Sequence, residues 1–166
     1  MARVPKAAPG LVFRYDYLRP REHEQGIENP KERPACILMV LAEGETLTGA
    51  SIVDEGSRRA VVDFIAAEGD VVIIPIQTDP PASDQLGVKL DLKTKAYVGL
   101  PDAKVSWAII SEVNIDRWPS AGIADVPETG EWAYEKPLPG PVLALIAKSF
   151  LRLRELKRVR ALARAP

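Results

Sequence analysis

The stretch PACILMVL, residues 34–41, is a short and continuously apolar run. A run of this length, with no helical spacing, is typical of a β-strand that is covered on both faces. Upstream, residues 10–17 (GLVFRYDY) are rich in aromatic side chains and alternate in part, which predicts a first strand. Residues 18–33 connect these two candidate strands. They contain prolines, a glycine and many charged residues, so we interpret them as a long polar loop.

Further candidate strands follow along the chain. They are a short strand in a hairpin within residues 42–57, two apolar runs at 60–66 and 71–76, an alternating segment at 87–92, and residues 106–113 (SWAIISEV). Pro75 cannot donate to a strand ladder, so the end of its strand is predicted to lie at an edge or a bulge. The segment that follows it, QTDPPASDQ (77–85), is predicted to be a loop.

The clearest element is a basic C-terminal helix at about 141–163. Pro141 suits the first helical position, where a missing N–H costs nothing. Apolar residues then recur at spacings of three and four, as in an amphipathic helix: Leu143, Ile146, Phe150, Leu153 and Leu156. The fold class is therefore mainly β with a C-terminal α-helix, a small antiparallel barrel-like sheet in a single domain (residues 1–166, core about 8–160).

Composition narrows the function classes. Cys36 is the single cysteine and lies in an apolar run, so we expect a buried, inert thiol, no disulfide and a cytoplasmic location. No apolar run is long enough to span a membrane, and residues 1–9 lack the apolar region of a signal peptide.

The net charge of the chain is −1, but its basic residues are concentrated near the end of the sequence. After position 147 there is one acidic residue and there are seven basic ones: Lys148, Arg152, Arg154, Lys157, Arg158, Arg160 and Arg164. Such a tail either attracts nucleic acid or forms a solvated helix face.

Familiar catalytic motifs are absent from the sequence. It has no glycine-rich phosphate loop, nucleophile elbow or zinc motif. The only histidine, His23, lies in the charged segment REHEQG and is expected to be solvated. Metal-independent RNA cleavage is compatible with a protein that lacks these catalytic motifs. The nucleophile is the 2′-hydroxyl of the RNA itself, so the protein only positions it and stabilises charge at phosphorus. Arginine suits that task, since its planar fork binds phosphate and stays protonated.

Several short motifs occur in an informative order. Pro9-Gly10 precedes the first strand, Lys31-Glu32-Arg33-Pro34 leads into the second, and VIIPI (72–76) ends a buried strand before a polar loop. Further along come Gly99-Leu100, Ser106-Trp107, Ser111-Glu112-x-Asn114 and Trp118-Pro119. Over about residues 8–160 this order resembles the MazF/PemK toxin family.

The resemblance implies a fold, an activity and partners. It implies an SH3-like small β-barrel (MazF/PemK/CcdB-like), usually a homodimer, that cleaves single-stranded RNA without a metal or cofactor. The usual partner is an antitoxin protein that inserts an acidic tail over the RNA-binding surface. By this resemblance Arg33 matches the catalytic arginine, Ser106 and Glu112 line the same pocket, and Lys31 is a phosphate contact.

The sequence departs from the family pattern within the implied site. Relatives carry a threonine directly after the Pro-Ile pair, where this chain has Gln77, and Thr78 comes one place later. Successive side chains of a strand point to opposite faces, so Thr78 replaces the missing hydroxyl only if a bulge shifts the register. Gln77 offers an amide donor instead. The segment before the arginine is also changed, to Gly26-Ile27-Glu28-Asn29-Pro30.

Three hypotheses follow. The leading one is an endoribonuclease toxin that acts through Arg33, assisted by Gln77 or Thr78. The second is a catalytically inactive barrel that serves as an RNA- or protein-binding module, which the change to Gln77 motivates. The third is a gyrase-directed toxin, because another toxin family shares this barrel, although such an inhibitor does not need Lys31 and Arg33.

Overall fold

The computed structural model describes residues 3–27 and 30–165, which form nine strands and three helices. The strands are β1 (Val12–Tyr17), β2 (Lys31–Val40), β3 (Ala50–Asp54), β4 (Asp70–Gln77), β5 (Gly87–Leu90), β6 (Ser106–Ile109), β7 (Glu112–Arg117), β8 (Ile123–Ala124) and β9 (Val159–Ala163). The helices are α1 (Pro20–Glu24), α2 (Leu92–Val98) and α3 (Gly140–Glu155). The chain is thus mainly β-sheet with a helix near its C-terminus, as predicted.

The strands form one sheet in the order β3-β9-β7-β4-β2-β1-β8, and β6 joins β4 to β5 at the side of this path. Among the described residues no pairing leads from β8 back to β3, so the sheet does not close into a barrel. Most pairs are antiparallel, but β9 runs parallel to both β3 and β7. In the described part of the chain no helix is long and apolar enough to cross a membrane.

Strands β2 and β4 hold the core on both faces of the sheet, as the continuous apolar runs predict. Cys36 and Ile74 pack into the larger hydrophobic cluster, whereas Ile37 and Ile73 pack into a second one with Phe13. Each fully buried isoleucine contributes about 1.5–3 kcal/mol relative to an exposed one. Burial also raises the pKa of the Cys36 thiol to about 12, which leaves it protonated and inert.

Pro75 lies where β4 changes partners on one side. The pairing with β7 ends at Ile73, and the pairing with β6 begins at Ile76. Pro75 lies between these two pairings, where no neighbouring strand on that side needs an N–H donor from it. The change of partner requires β6 and β7 to be separate strands, and the prediction of one strand over 106–113 was therefore wrong.

The C-terminal helix is shorter than predicted. It ends at Glu155, and residues 159–163 form β9 instead of the last turns of a helix reaching about 163. The helix stops because Lys157 takes a left-handed backbone conformation (φ 56°), while the N–H of Arg158 bonds back to the carbonyl of Leu153. The predicted apolar stripe is buried at Ile146, Phe150 and Leu153 but not at Leu156, which is 47% exposed.

Three other sequence-based expectations also fail. Residues 60–66 form no strand beyond one isolated bridge between Val53 and Ala60, and Val62 is 89% exposed. The polar loop predicted at 18–33 contains α1 and the start of β2, with Glu28 and Asn29 outside the described residues. His23 lies in α1 and is fully buried, not solvated.

Candidate functional site

Arg33 and Gln77 lie on neighbouring strands and on the same face of the sheet. Ala35 faces Pro75 in the β2–β4 register, and continuing this register by two residues brings Arg33 opposite Gln77. On its other side Arg33 pairs with Tyr15 of β1. Two of the residues predicted for catalysis are therefore side by side.

Two adjoining cavities open beside this pair and share Lys31, Arg33, Gln77 and Asp79. The first, which we call the arginine cavity, has a volume of about 430 Å³ and is completed by Arg19, Glu22, Pro80, Ala82 and Gln85. The second, which we call the serine cavity, has a volume of about 230 Å³ and includes Arg14, Glu32, Pro34, Ile76, Thr78, Lys95, Leu100, Pro101, Asp102 and Ser106. Five of the six predicted site residues thus line two connected cavities.

The sixth predicted residue, Glu112, lies behind the arginine cavity. It lines a neighbouring cavity of about 250 Å³ together with Arg19 and residues of α1. A larger cavity, of about 680 Å³, lies elsewhere and has four carboxylates in its lining, Asp16, Glu55, Asp70 and Asp116. It contains none of the predicted residues.

Thr78 does not share the face of Arg33. The β4–β6 pairing runs in regular register through Ile76 and Gln77, and one more residue places Thr78 opposite Ser106. Because strand side chains alternate, Thr78 and Ser106 lie on the face opposite to Gln77. The strand neighbour of Arg33 is therefore Gln77, although Thr78 and Ser106 line the serine cavity together with Arg33.

The Arg33 guanidinium is half-buried and makes no ion pair among the described residues. Its Nε is buried without a hydrogen-bond partner, and the group lies over the ring of Tyr17, 5.8 Å from the centroid. Burial, and next the charge of Arg19, lower the pKa of Arg33. An arginine stays protonated even so, and such a group binds an anion favourably.

Four polar side chains contact one another in a ring. They come from the residue before α1, the end of β4, the 78–86 loop and the start of β7: Arg19, Gln77, Gln85 and Glu112. Arg19 Nη2 donates to Gln77 Oε1 (3.1 Å), and Gln77 Nε2 donates to Gln85 Oε1 (3.2 Å). Gln85 Nε2 donates to Glu112 Oε1 (3.3 Å), which lies 3.5 Å from Arg19 Nε. The ring sets the position of the Arg19 guanidinium at the edge of the arginine cavity.

Within this ring Gln77 has no donor left. One amide hydrogen bonds Gln85, and the other bonds the carbonyl of Asp79 at 3.0 Å. The orientation of the amide follows from chemistry, because Arg19 is a donor and the Asp79 carbonyl is an acceptor. Gln77 thus holds Arg19 and the loop, and does not present the free amide donor that the sequence suggests.

Glu112 and Ser106 are buried, whereas Lys31 is exposed at the cavity mouth. Burial raises the pKa of Glu112, although Arg19 and the hydrogen bond from Gln85 act in the opposite direction. A carboxylate in this position is poorly placed to meet a polyanion. Its contacts are with the ring, and Lys31 is the predicted RNA contact that solvent reaches.

Arg19 and Gln85 were missed by sequence analysis. Arg19 lies between β1 and α1, in a segment that we interpreted as a loop, and only the β1–β2 pairing shows that this segment adjoins Arg33. The basic pattern RPR (19–21) was a weak signal for it. Gln85 gave no signal, since a glutamine in a polar loop is unremarkable.

No family model matches the chain, and neither curated proteins nor solved structures gave a match.

Proposed function

We propose that this protein is a metal-independent endoribonuclease that cleaves single-stranded RNA. The observation that carries the proposal is the arginine cavity, where Arg19, Lys31 and Arg33 line one open space and Arg33 has no carboxylate partner in the described part of the chain. Three cations exceed the two acids of the same lining, Glu22 and Asp79. Such a cavity suits the phosphodiester of a nucleic acid.

The reaction requires little of the protein. The RNA 2′-hydroxyl gives its proton to solvent, its oxygen attacks the adjacent phosphorus, and the bond to the 5′-oxygen breaks. The 5′-oxygen takes a proton from solvent, so the products are a 2′,3′-cyclic phosphate and a 5′-hydroxyl. In this proposal Arg33 binds the non-bridging oxygens and stabilises the charge that develops on them. Its contact with Tyr17 and its burial fix the guanidinium before RNA arrives, which lowers the cost of ordering it.

The wider assignment rests on the resemblance to the MazF/PemK family. It comprises an SH3-like barrel, a homodimer, a cytoplasmic location and inhibition by an acidic antitoxin. The order of motifs supports it, and so does the mainly β fold with a helix near the C-terminus. An acidic antitoxin tail is chemically suited to the arginine cavity.

The test is incubation of the protein with a long single-stranded RNA in EDTA. Wild type is expected to cleave, and Arg33→Ala is expected to lower the rate by about 10²–10³, the usual effect of losing one donor to a developing oxyanion. Arg117→Ala is the matched control, because this exposed arginine lies at the opposite end of β7 from Glu112. Cleavage that survives Arg33→Ala unchanged would exclude the assignment.

A second function, RNA binding without turnover, is favoured by one specific observation. The side chain beside Arg33 is Gln77, whose two amide hydrogens are both used within the protein. In this alternative the RNA binds in the arginine cavity and stays intact. Gel analysis of the bound RNA distinguishes the two functions.

A further inference from the structure

Arg19 differs from the other arginines near the site. Arg14 pairs with the exposed Glu32, and Arg21 pairs with the exposed Asp84, so each has its own solvent-accessible carboxylate. The partner of Arg19 is instead the buried Glu112, which Gln85 also uses. Arg19 Nε is buried and within ion-pair distance of that carboxylate, but it makes no hydrogen bond.

The two arginines of the cavity repel each other. Arg19 is close enough to Arg33 to lower its pKa. The charges of Glu112 and Glu22 act in the opposite direction, but no described carboxylate forms an ion pair with Arg33. A phosphodiester between them would relieve the repulsion. A cavity whose lining holds two like charges close together is therefore suited to an anion.

The ring holds Arg19 in this position through groups that are themselves fixed. Gln85 Oε1 accepts from the backbone N–H of Ala82 at 2.9 Å, and the Ser111 hydroxyl accepts from the N–H of Leu86 at 2.9 Å. The first bond closes a turn within the loop after β4, and the second joins that loop to the residue before β7. The acceptors that hold Arg19, on Gln77 and Glu112, are thus part of a rigid frame.

We infer that Arg19 is a second phosphate-binding residue of the arginine cavity and that Gln77 positions it. This inference rests on the proposed function for its ligand, the phosphodiester backbone of single-stranded RNA. It changes the role of Gln77 from a contact with the substrate to a support for the residue that makes the contact.

The test measures binding of a single-stranded oligonucleotide with 2′-deoxy sugars, which cannot be cleaved, as a function of salt. Each phosphate contact contributes about 0.7 to the slope of log K against log salt for a single strand. Arg19→Gln is expected to reduce the slope by about 0.7, and Arg19→Lys is expected to retain it. Arg117→Gln, a charge change at the far end of β7, is expected to leave the slope unchanged.

Gln77→Leu tests the positioning role, because it removes the acceptor without changing charge. It is expected to weaken binding about ten-fold in the wild-type background, the usual loss for a hydrogen bond to a charged group. In the Arg19→Gln background the same change is expected to have no effect, since there is no arginine left to position. Equal losses in both backgrounds would show that Gln77 contacts the nucleic acid directly and would overturn the positioning role.

These outcomes separate the inference from the proposed function. A slope that stays the same in Arg19→Gln, or no binding by wild type, overturns the inference. If wild type cleaves RNA and the slope is unchanged, only the role of Arg19 fails. If wild type binds without cleaving and the slope falls, the role of Arg19 stands and the nuclease assignment fails. Thermal unfolding of every variant confirms that each is folded.

Discussion

Glu112 carries its charge in surroundings that disfavour it. Burial raises the pKa of this carboxyl above its ordinary value, in spite of the nearby Arg19. The folded protein therefore binds the proton more tightly than the unfolded chain does. The contribution of this carboxyl to the free energy of unfolding is fully present below the ordinary pKa of a glutamate. It is lost as the pH rises through the raised pKa of Glu112.

We accordingly expect Glu112→Gln to be more stable than wild type at neutral pH. Glutamine keeps the size and an acceptor oxygen but carries no charge. The gain should shrink as the pH falls from the raised pKa of Glu112 towards the ordinary pKa of a glutamate, and should be smallest below the ordinary value. A difference of one in pKa corresponds to about 1.4 kcal/mol. Urea unfolding of both proteins at several pH values measures it. A variant that is less stable at neutral pH would contradict this account.

Tyr15 and Tyr17 form a matched pair for a second prediction. The Tyr17 hydroxyl is buried without a partner, whereas the Tyr15 hydroxyl donates to Asp116 Oδ2 at 2.6 Å and accepts from Arg164 Nη1 at 3.0 Å. Tyr17→Phe should raise the free energy of unfolding by about 1 kcal/mol, because it removes an unsatisfied buried group. Tyr15→Phe should lower it by about 1–3 kcal/mol. Denaturant unfolding tests both, and a loss for Tyr17→Phe would reveal a partner for its hydroxyl.

At the residue scale the sequence was informative about strand registers and uninformative about tertiary neighbours. Arg33, Lys31 and Gln77 were expected in one site because of the family resemblance, and the β2–β4 pairing shows that Arg33 and Gln77 are neighbours. The alternation of side chains along a strand separated Thr78 from Gln77. Arg19 could not be found in this way, because its position depends on the path of the chain between β1 and β2, which no periodic pattern describes.

At the scale of elements, the junction between α3 and β9 is held closely against the turn before β3. A Cβ on Gly49 would lie 2.2 Å from the carbonyl oxygen of Arg154, and Arg154 Nε donates to the carbonyl of Thr48 at 2.8 Å. Gly49 also has a φ of 78°. Only a glycine allows the last turn of the helix to approach the backbone so closely.

Gly49→Ala is therefore expected to be much more destabilising than Gly44→Ala. Gly44 has a similar φ of 83°, but a Cβ there meets nothing within 4 Å. Gly44→Ala should cost about 1–2 kcal/mol for its left-handed conformation alone. Gly49→Ala should cost several kcal/mol, in the range of overpacked sites. Thermal unfolding compares them, and equal costs would show that the helix end can shift freely.

The position of the helix end was predictable only in retrospect. Residues at the helical spacing of three and four are buried only as far as Leu153. The buried residues Val159 and Ala161 that follow are two apart, as in a strand. Leu156 hid this change, because it continued the helical spacing although it lies in the turn. The apolar run at 60–66 also led to a wrong prediction. Its composition suggested a strand, but a strand also needs a partner strand to pair with, and only Ala60 makes a bridge.

At the scale of the whole molecule, the basic C-terminal segment is not one charged surface. Arg164 points inward to Glu55 and Asn114, Arg160 lies near Glu24, and Arg154 is bonded to the Thr48 carbonyl. Arg154 and Arg164 thus make contacts within the fold, whereas Arg160 is an exposed residue of β9. The basic residues after position 147 are therefore distributed over α3, β9, the residues between these two elements and the residues that follow β9.

A further prediction concerns β9, which lies between β3 and β7 and is hydrogen-bonded to both. Its inward residues Val159, Ala161 and Leu162 are buried. A chain that stops after Arg158 should lose cooperative unfolding, because β3 would have no neighbouring strand in the sheet. Circular dichroism during heating tests this. The full chain with Arg160→Ala, a change at an exposed position of the same strand, should unfold cooperatively.

The place of β9 has a consequence for how the protein is made. Synthesis on the ribosome is directional, and every other strand emerges before residues 159–163. Until those residues are translated, β3 and β7 lack the strand that joins them, and β3 remains an unpaired edge. Folding of the sheet is therefore completed only after nearly all of the described chain has been translated, and a nascent chain stalled earlier displays strand edges to which chaperones or other chains can bind.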